Sequence, residues 1–365
     1  MNKKKIICTI AVLIILCIIG GAIFFAIKSK QTNPSEVSNQ PEQNNNSVQQ
    51  SEVNNKDTKI DIVDVNSNSR PYAVVVNNTA VAVKVQEGLN KAYMVYEIPT
   101  EGNTSRLLAL YKDINEDLVI GTIRSARHNF IDFALESDAI FCCFGWSHYA
   151  EDDMKAGSID YLQGLFGYPF YRENPEKLAT EHTAYTSMNK IKDEIEKRKI
   201  RTTSNESILL NYDTDDIDLS NASNQIQANL VKIPYGAAPQ IASFKYDEAT
   251  KMYIRYENSN KCIDHNTKED VTTKNIIVQK IDYNVCDDNY YWNLHTTGKG
   301  KGYYITNGYA VPITWSKSSR KSKTVYSYAS GVVINGVDMS GKEITVSDGR
   351  TWIEVQTNSQ NLTIE

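Results

Sequence analysis

Arg124 and Arg127 stand three residues apart in Ile123-Arg124-Ser125-Ala126-Arg127, at the start of a run with helical spacing, Ser125–Ser137. In that run Phe130, Phe133, Ala134 and Leu135 form one broad apolar face. Cations at a helix start oppose its partial positive charge, at about 0.3–1 kcal/mol each, so the pattern calls for a compensating anion. Ser125 suits the N-cap. Free amides, a hydroxyl and two guanidinium groups would hold a phosphate or a carboxylate. Arg106 and Arg172 extend this candidate ligand-binding set. The anion can also be internal, supplied by Glu97 or Glu101 of Tyr96-Glu97-Ile98-Pro99-Thr100-Glu101-Gly102.

Those two carboxylates are also spaced for general acid and base work. Their natural partner is His182 of Glu181-His182-Thr183, since an unperturbed imidazole titrates near neutrality. Glu97, Glu101 and His182 are therefore the catalytic candidates. Against that reading, Glu97 lies in an apolar strand where an unpaired charge is costly, and paired carboxylates commonly serve as salt-bridge partners. Ser147, in Phe144-Gly145-Trp146-Ser147-His148-Tyr149, occupies the place of a nucleophile elbow. Tyr149 replaces the second glycine of that motif, so Ser147 reads as a helix cap. Ser316–Lys323 is a basic loop, either a solvated hairpin tip or a contact for anionic lipid or polymer.

The elements that must position these groups follow from periodicity. Tyr72–Val76, Met94–Ile98, Arg106–Tyr111, Leu118–Ile123 and Ala139–Phe144 read as strands, and Ser147–Lys155 and Ser187–Lys199 as helices. Residues 70–210 thus form a mixed α/β domain. Asn211–Asn229 is polar and acidic and reads as a connection. From 230 to 365 strand signals dominate: Ser243–Tyr246, Tyr253–Tyr256, Asn275–Ile281, Gly302–Thr306, Ala310–Trp315, Val325–Tyr328 and Trp352–Val355. The fold class is α+β, with a mostly antiparallel β domain following the mixed one.

At the N-terminus, Lys3-Lys4-Lys5 precedes an uncharged run from Ile6 to Ile27. As a helix this run reaches about 30 Å, the thickness of a bilayer core. Residues 1–28 read as a single-pass anchor with the bulk of the chain outside the cytoplasm. A cleaved signal peptide ending near Ala22, or lipidation at Cys17, would give the same location. Residues 29–69, rich in Asn, Gln and Ser without an aromatic residue, read as a disordered tether with folding starting at Arg70.

The net charge is −5, and beyond residue 30 there are 34 basic against 44 acidic residues. That balance lacks the basic footprint of a nucleic-acid binder. Cys142 and Cys143 are strand neighbours and should point to opposite faces. Cys262 and Cys286 are the pair that could bridge. The five histidines lack metal-ligand spacing, and neither a metal nor a cofactor is expected.

The chain resembles the YerB-like family of bacterial lipoproteins, a domain of unknown function. The resemblance rests on Arg70-Pro71-Tyr72-Ala73-Val74, Gly121-Thr122-Ile123-Arg124-Ser125-Ala126-Arg127, Phe170-Tyr171-Arg172 and His182-Thr183-Ala184-Tyr185-Thr186-Ser187. It continues through Asn275-Ile276-Ile277-Val278-Gln279 and Gly349-Arg350-Thr351-Trp352-Ile353. It implies a mixed N-terminal domain, a β-rich C-terminal domain and an envelope location, and brings no activity. Leu16 before Cys17 departs from the family's lipobox. Together these observations point to a membrane-anchored envelope protein binding an anionic ligand such as a wall polymer or peptidoglycan fragment. The alternatives are a wall hydrolase or transferase using Glu97 or Glu101 with His182, and a scaffold for envelope proteins.

Overall fold

Strands that are apolar at nearly every position, such as Tyr72–Asn77, must bury two faces, and a long sheet covered on both sides satisfies them. The computed structural model describes residues 59–174, 176–236, 240–286 and 290–365. The expected anchor 1–28 and most of the tether lie outside the described residues. Among the described residues no helix is long and apolar enough to cross a membrane.

The first eight strands are β1 (Tyr72–Asn77), β2 (Met94–Thr100), β3 (Thr104–Tyr111), β4 (Val119–Gly121), β5 (Ile140–Cys143), β6 (Tyr161–Gln163), β7 (Tyr171–Arg172) and β8 (Ala184–Ser187). The α-helices are α1 (His128–Leu135), α2 (His148–Lys155) and α3 (Met188–Arg198). An 11-stranded sheet runs Ile226–Gln227, Tyr309–Lys317, Gly298–Thr306, Asn275–Ile281, Thr351–Thr357, β2, β3, β1, β5, β6, with Val325–Tyr328 beside Tyr309–Lys317. Segments 70–210 and 230–365 both contribute strands to it. Most pairings are antiparallel, but Thr351–Thr357 runs parallel to both of its neighbours, Asn275–Ile281 and β2.

Alternation sorts the sheet's side chains into two cores. Tyr96, Ile98, Leu108, Leu110 and Cys143 face one, covered by Phe130 and Phe133 of α1 and Met154 of α2. Val95, Leu107, Ala109, Cys142 and Trp352 face the other, covered by Met188, Ile191 and Ile195 of α3. A second, six-stranded antiparallel sheet packs on that same face. Its Leu230–Pro234, Ile241–Asp247 and Met252–Glu257 strands bring Val231, Ile233, Phe244 and Tyr253. Cys142 and Cys143 do point to opposite cores.

Two boundaries differ from the sequence reading. Ile60 and Val63 are buried in the first core, and the Asp348 carboxylate accepts the N–H groups of Asp61 and Ile62 at 2.7 and 3.0 Å. Ordered packing therefore starts ten residues before Arg70, because a partner 287 residues away supplies what local composition lacks. Asn211–Asn229 is likewise part of the fold. Asn211–Asp213 pairs in parallel with Thr345–Ser347, and Leu219 and Ala222 are buried.

If residues 60–63 are structural, Ile60→Ala and Val63→Ala each lower the unfolding free energy by about 1–3 kcal/mol, as core truncations do. Urea denaturation checks this, and unchanged midpoints would show the segment to be detached.

Candidate functional site

The arginine motif is a short loop pinned on three sides. Arg124 N–H donates to Val75 O of β1, Ile123 N–H to Ala184 O of β8, and Ala126 N–H to Gly145 O. Helix α1 starts at His128, and its N-cap, Arg127, makes no side-chain cap bond. Ser125 therefore does not cap it. Its hydroxyl donates to Phe144 O at 3.1 Å, packed against Gly145, where a Cβ would lie 2.6 Å from Ser125 Oγ. Ser147 does cap α2, accepting from Ala150 N–H.

The four candidate arginines divide by what neutralises them. Arg127 is buried and grips Glu101 through Nε, at 3.0 and 2.9 Å from its two oxygens, and through Nη2. Burial pushes the Glu101 carboxyl up, but the Arg127 hydrogen bonds and charge overcome it and leave the group below its ordinary value. The guanidinium also lies 4.9 Å from the Tyr291 ring centroid. Arg124, partly exposed, makes a long 3.4 Å pair with the exposed Glu181. Arg106 donates from Nη1 to Ser125 O and has no carboxylate partner within 4 Å among the described residues. Burial and then the charge of Arg127 lower its pKa to about 9. Arg172 is exposed, bonded to Thr180 O and Thr183 Oγ1, and stacked on Phe144 at 4.4 Å. His182 shares a 2.9 Å hydrogen bond with Asn77 and lies 3.7 Å from Glu181. Burial lowers its pKa, with Glu181 opposing and Arg124 adding to the shift. It is bonded to neither Glu97 nor Glu101.

Glu97 is the main correction. The β2–β3 register pairs Glu97 with Leu107 and Ile98 with Arg106. Alternation then sends Glu97 to the second core, with Val95 and Leu107, and Arg106 to the face of Ile98 and Leu108. Glu97 does not shape the arginine cluster, and it is 0 % exposed. It accepts from Ser105 Oγ at 2.6 Å, Asn78 Nδ2 at 2.9 Å and Arg255 Nη2 at 2.9 Å. The basic loop also turns inward: Lys317 pairs with Glu136 at 2.7 Å, and Arg320 pairs with Asp132 and Asp153.

A group of charges absent from the sequence reading surrounds Arg255, which is fully buried between the two sheets. Its Nη2 also bonds Glu257 at 2.9 Å, its Nη1 donates to Cys262 Sγ at 2.9 Å, and its guanidinium covers the Trp352 ring at 4.8 Å. Glu354 stands opposite Glu97 in the parallel register and accepts from Tyr235 Oη at 2.6 Å. One arginine thus faces three carboxyl groups. Burial, opposed by Arg255 and reinforced by Glu97, pushes Glu257 up to about 8. Burial and the charge of Glu97 push Glu354 well above the carboxylate range. The sequence signal was the polar residue at every second place of otherwise apolar strands, in Tyr253-Ile254-Arg255-Tyr256-Glu257 and Trp352-Ile353-Glu354. Cys262 is a buried free thiol, so it forms no bridge to Cys286. Among the described residues no group of three His, Cys, Asp or Glu side chains is placed to hold a metal ion.

Family comparison matches residues 58–201 to "Protein of unknown function (DUF3048) N-terminal domain" and residues 231–353 to the corresponding C-terminal domain. The chain is 29% identical to "Putative lipoprotein YerB" of Bacillus subtilis (strain 168) over 290 residues, 78% of this chain and 81% of that protein. It superposes on the crystal structure of YerB protein from Bacillus subtilis with a TM-score of 0.68 at 26% identity, covering 81% of this chain and 94% of that one.

Two stability tests follow from the geometry. Arg127→Ala strands a buried Glu101 charge and should cost about 3–5 kcal/mol, whereas Arg172→Ala, at the surface, should cost under about 1 kcal/mol. For Glu257 the folded pKa lies above the unfolded value of about 4.3, so the folded state binds the extra proton between those pH values. Stability should be greatest below that unfolded value and decline as pH rises to about 8. Glu257→Gln should make the decline shallower, and a profile identical to wild type would show that Glu257 does not carry that proton.

Proposed function

Because the chain belongs to the DUF3048 family, we propose that it is a membrane-tethered envelope protein that binds an anionic envelope ligand at Arg106 and Arg124. The name of the Bacillus subtilis relative, a lipoprotein, and the lysine-flanked apolar run Ile6–Ile27 support the location. The observation that carries the ligand reading is the state of Arg106. Its side chain is half-buried, lies in the field of Arg127 and Arg124 with Glu101 only partly opposing them, and has a backbone carbonyl as its hydrogen-bond acceptor. A guanidinium in that position gains from an incoming phosphate or carboxylate, which restores the missing negative charge with charge-assisted hydrogen bonds. Arg124 can swing to the same anion by releasing its long pair with Glu181. Arg127, neutralised by Glu101, positions the loop. A peptidoglycan carboxylate or a phosphate-bearing wall polymer supplies such a group.

The hydrolase reading draws less support, since Glu97 is sealed inside and Glu101 is held by Arg127. A scaffold reading has one observation in its favour. Leu165, Phe166 and Tyr168 expose 58, 63 and 42 % of their surface in a single short segment, as docking residues do.

Calorimetric titration of the full-length chain in detergent with soluble peptidoglycan fragments and with a phosphate-rich wall polymer tests the proposal. Arg106→Gln and Arg124→Gln should each weaken binding about tenfold, near the value of one charge-assisted hydrogen bond. A double variant that binds as tightly as wild type would exclude this cluster as the site.

A further inference from the structure

The segment from Tyr161 to Tyr171 carries no charged residue. It leaves β6, the terminal strand of the main sheet, through a short helical turn at Gly164–Phe166. The base of that turn is fixed. Gly164 is buried against Phe144, where a Cβ would lie 2.2 Å from the ring. The buried Gln163 accepts the N–H groups of Gly145 and Leu165 at 2.7 and 3.1 Å. Gly167 N–H donates to Gly164 O, and Phe170 N–H to Gly167 O. The tip, in contrast, stands clear. Gly167 has a φ of 89°, which favours glycine, and a Cβ on it would meet nothing within 4 Å. Phe166 is the most exposed large apolar side chain among the described residues, and Leu165 and Tyr168 are exposed beside it. Trp146 meets Phe166 edge-on at 5.8 Å and Tyr161 at 6.1 Å. Tyr168 Oη donates to Asp193 at 3.1 Å, and Lys190 Nζ of α3 lies 5.5 Å from its ring.

We propose that this tip seats in the interface of the lipid bilayer to which the chain is tethered, with Leu165 and Phe166 below the headgroups and Tyr168 and Lys190 level with them. The inference rests on the membrane location proposed above and is independent of the arginine cluster. Residues 28–58, between the apolar run and the first described residue, span at most about 110 Å when fully extended. The folded part therefore stays within that distance of the membrane, and confinement lets a weak contact persist. The chemistry of the tip fits lipid. An aliphatic and an aromatic side chain lead, and a tyrosine whose hydroxyl keeps a polar partner stands behind them, as at membrane interfaces. The N–H groups of Leu165, Gly167 and Phe170 are already accepted inside the segment and Pro169 has none, which lowers the cost of taking backbone into an apolar phase. Asp193 and Glu173 offset Lys190 and Arg172, so burial of apolar surface, rather than charge, drives the contact. A protruding tip suits a fluid that closes around it, whereas a protein partner would have to bring a matching cleft.

The test reconstitutes the full-length Phe166→Trp variant into phosphatidylcholine vesicles, with and without bromine on the upper acyl chains, which quenches indole emission on contact. Emission added by the substitution, relative to wild type, should fall at least about twofold with brominated lipid, since interfacial side chains sink about 5–10 Å past the headgroups. Val337→Trp is the control. Val337 is also exposed, on a hairpin that follows Val325–Tyr328 toward the other end of the main sheet, and its emission should not be quenched. Quenching of Phe166→Trp should persist in ~1 M salt, where the Debye length is about 3 Å. Adding Leu165→Asp should abolish it by placing a charge in the apolar layer, and adding Arg106→Gln should leave it unchanged. A chain that floats with the vesicles while its Phe166→Trp emission is unquenched overturns the proposal and leaves the tip to a protein partner. Equal quenching of Val337→Trp, loss of quenching in salt or in Arg106→Gln, or its survival in Leu165→Asp also overturns it. A chain that does not float with the vesicles removes the membrane location itself, and this proposal with it.

Discussion

A guanidinium sealed between two sheets has to find its counter-charge there, and Arg255 finds it in both halves of the chain. Its Nη2 reaches Glu97 of β2 and Glu257 of its own strand, while its flat face lies on Trp352. Desolvating an ion costs several kcal/mol, and the pairing of Arg255 Nη2 with two carboxylates makes the burial tolerable. The second sheet can therefore dock on the main sheet in essentially one register, the one that brings Arg255 to Glu97. A hydrophobic contact such as Phe244 against Trp352 tolerates small slips, whereas a shared hydrogen on a buried carboxylate does not. Charge, rather than apolar area, sets how the two layers meet.

That arrangement also explains why the chain holds two unlike electrostatic environments. On the second-core side there are more carboxyl groups than cations, and the excess is relieved by protonation of Glu257 and Glu354. Beside α1 there are more cations than carboxylates, and Arg106 is left with a carbonyl acceptor. The first imbalance is answered by a proton and is internal. The second calls for an anion from outside, which is why the arginine loop stands as the proposed site of recognition.

Much of this was legible locally. Strand and helix positions followed from alternation and helical spacing, and Ser147 as a cap followed from its place before Tyr149 and Ala150. Of the two carboxylates offered as an internal anion for the Arg124–Arg127 motif, Glu101 takes that place and Glu97 does not. The failures share one cause. Which sheet face Glu97 occupies relative to Arg106 depends on register between β2 and β3, and a shift of one residue reverses it. The burial of Ile60 depends on Asp348, and the fate of Arg255 depends on Glu97, a partner 158 residues away. Ser125 looked like a cap because the helix was read as starting three residues early. No window of sequence contains these partners, so composition could not reveal them.

The place of Thr351–Thr357 has a consequence for how the chain matures. This segment, synthesised after both of its neighbours, lies in the interior of the main sheet, flanked by strands that begin at Asn275 and Met94. Until it arrives, β2 and Asn275–Ile281 each present an open apolar edge, and open edges pair readily with other chains. A polypeptide emerging N-terminus first thus cannot complete its central layer until Thr351–Thr357 has been released. Whatever surroundings receive it must shelter two half-sheets in the interval, and a nascent chain that stops short of Thr351 leaves both edges exposed.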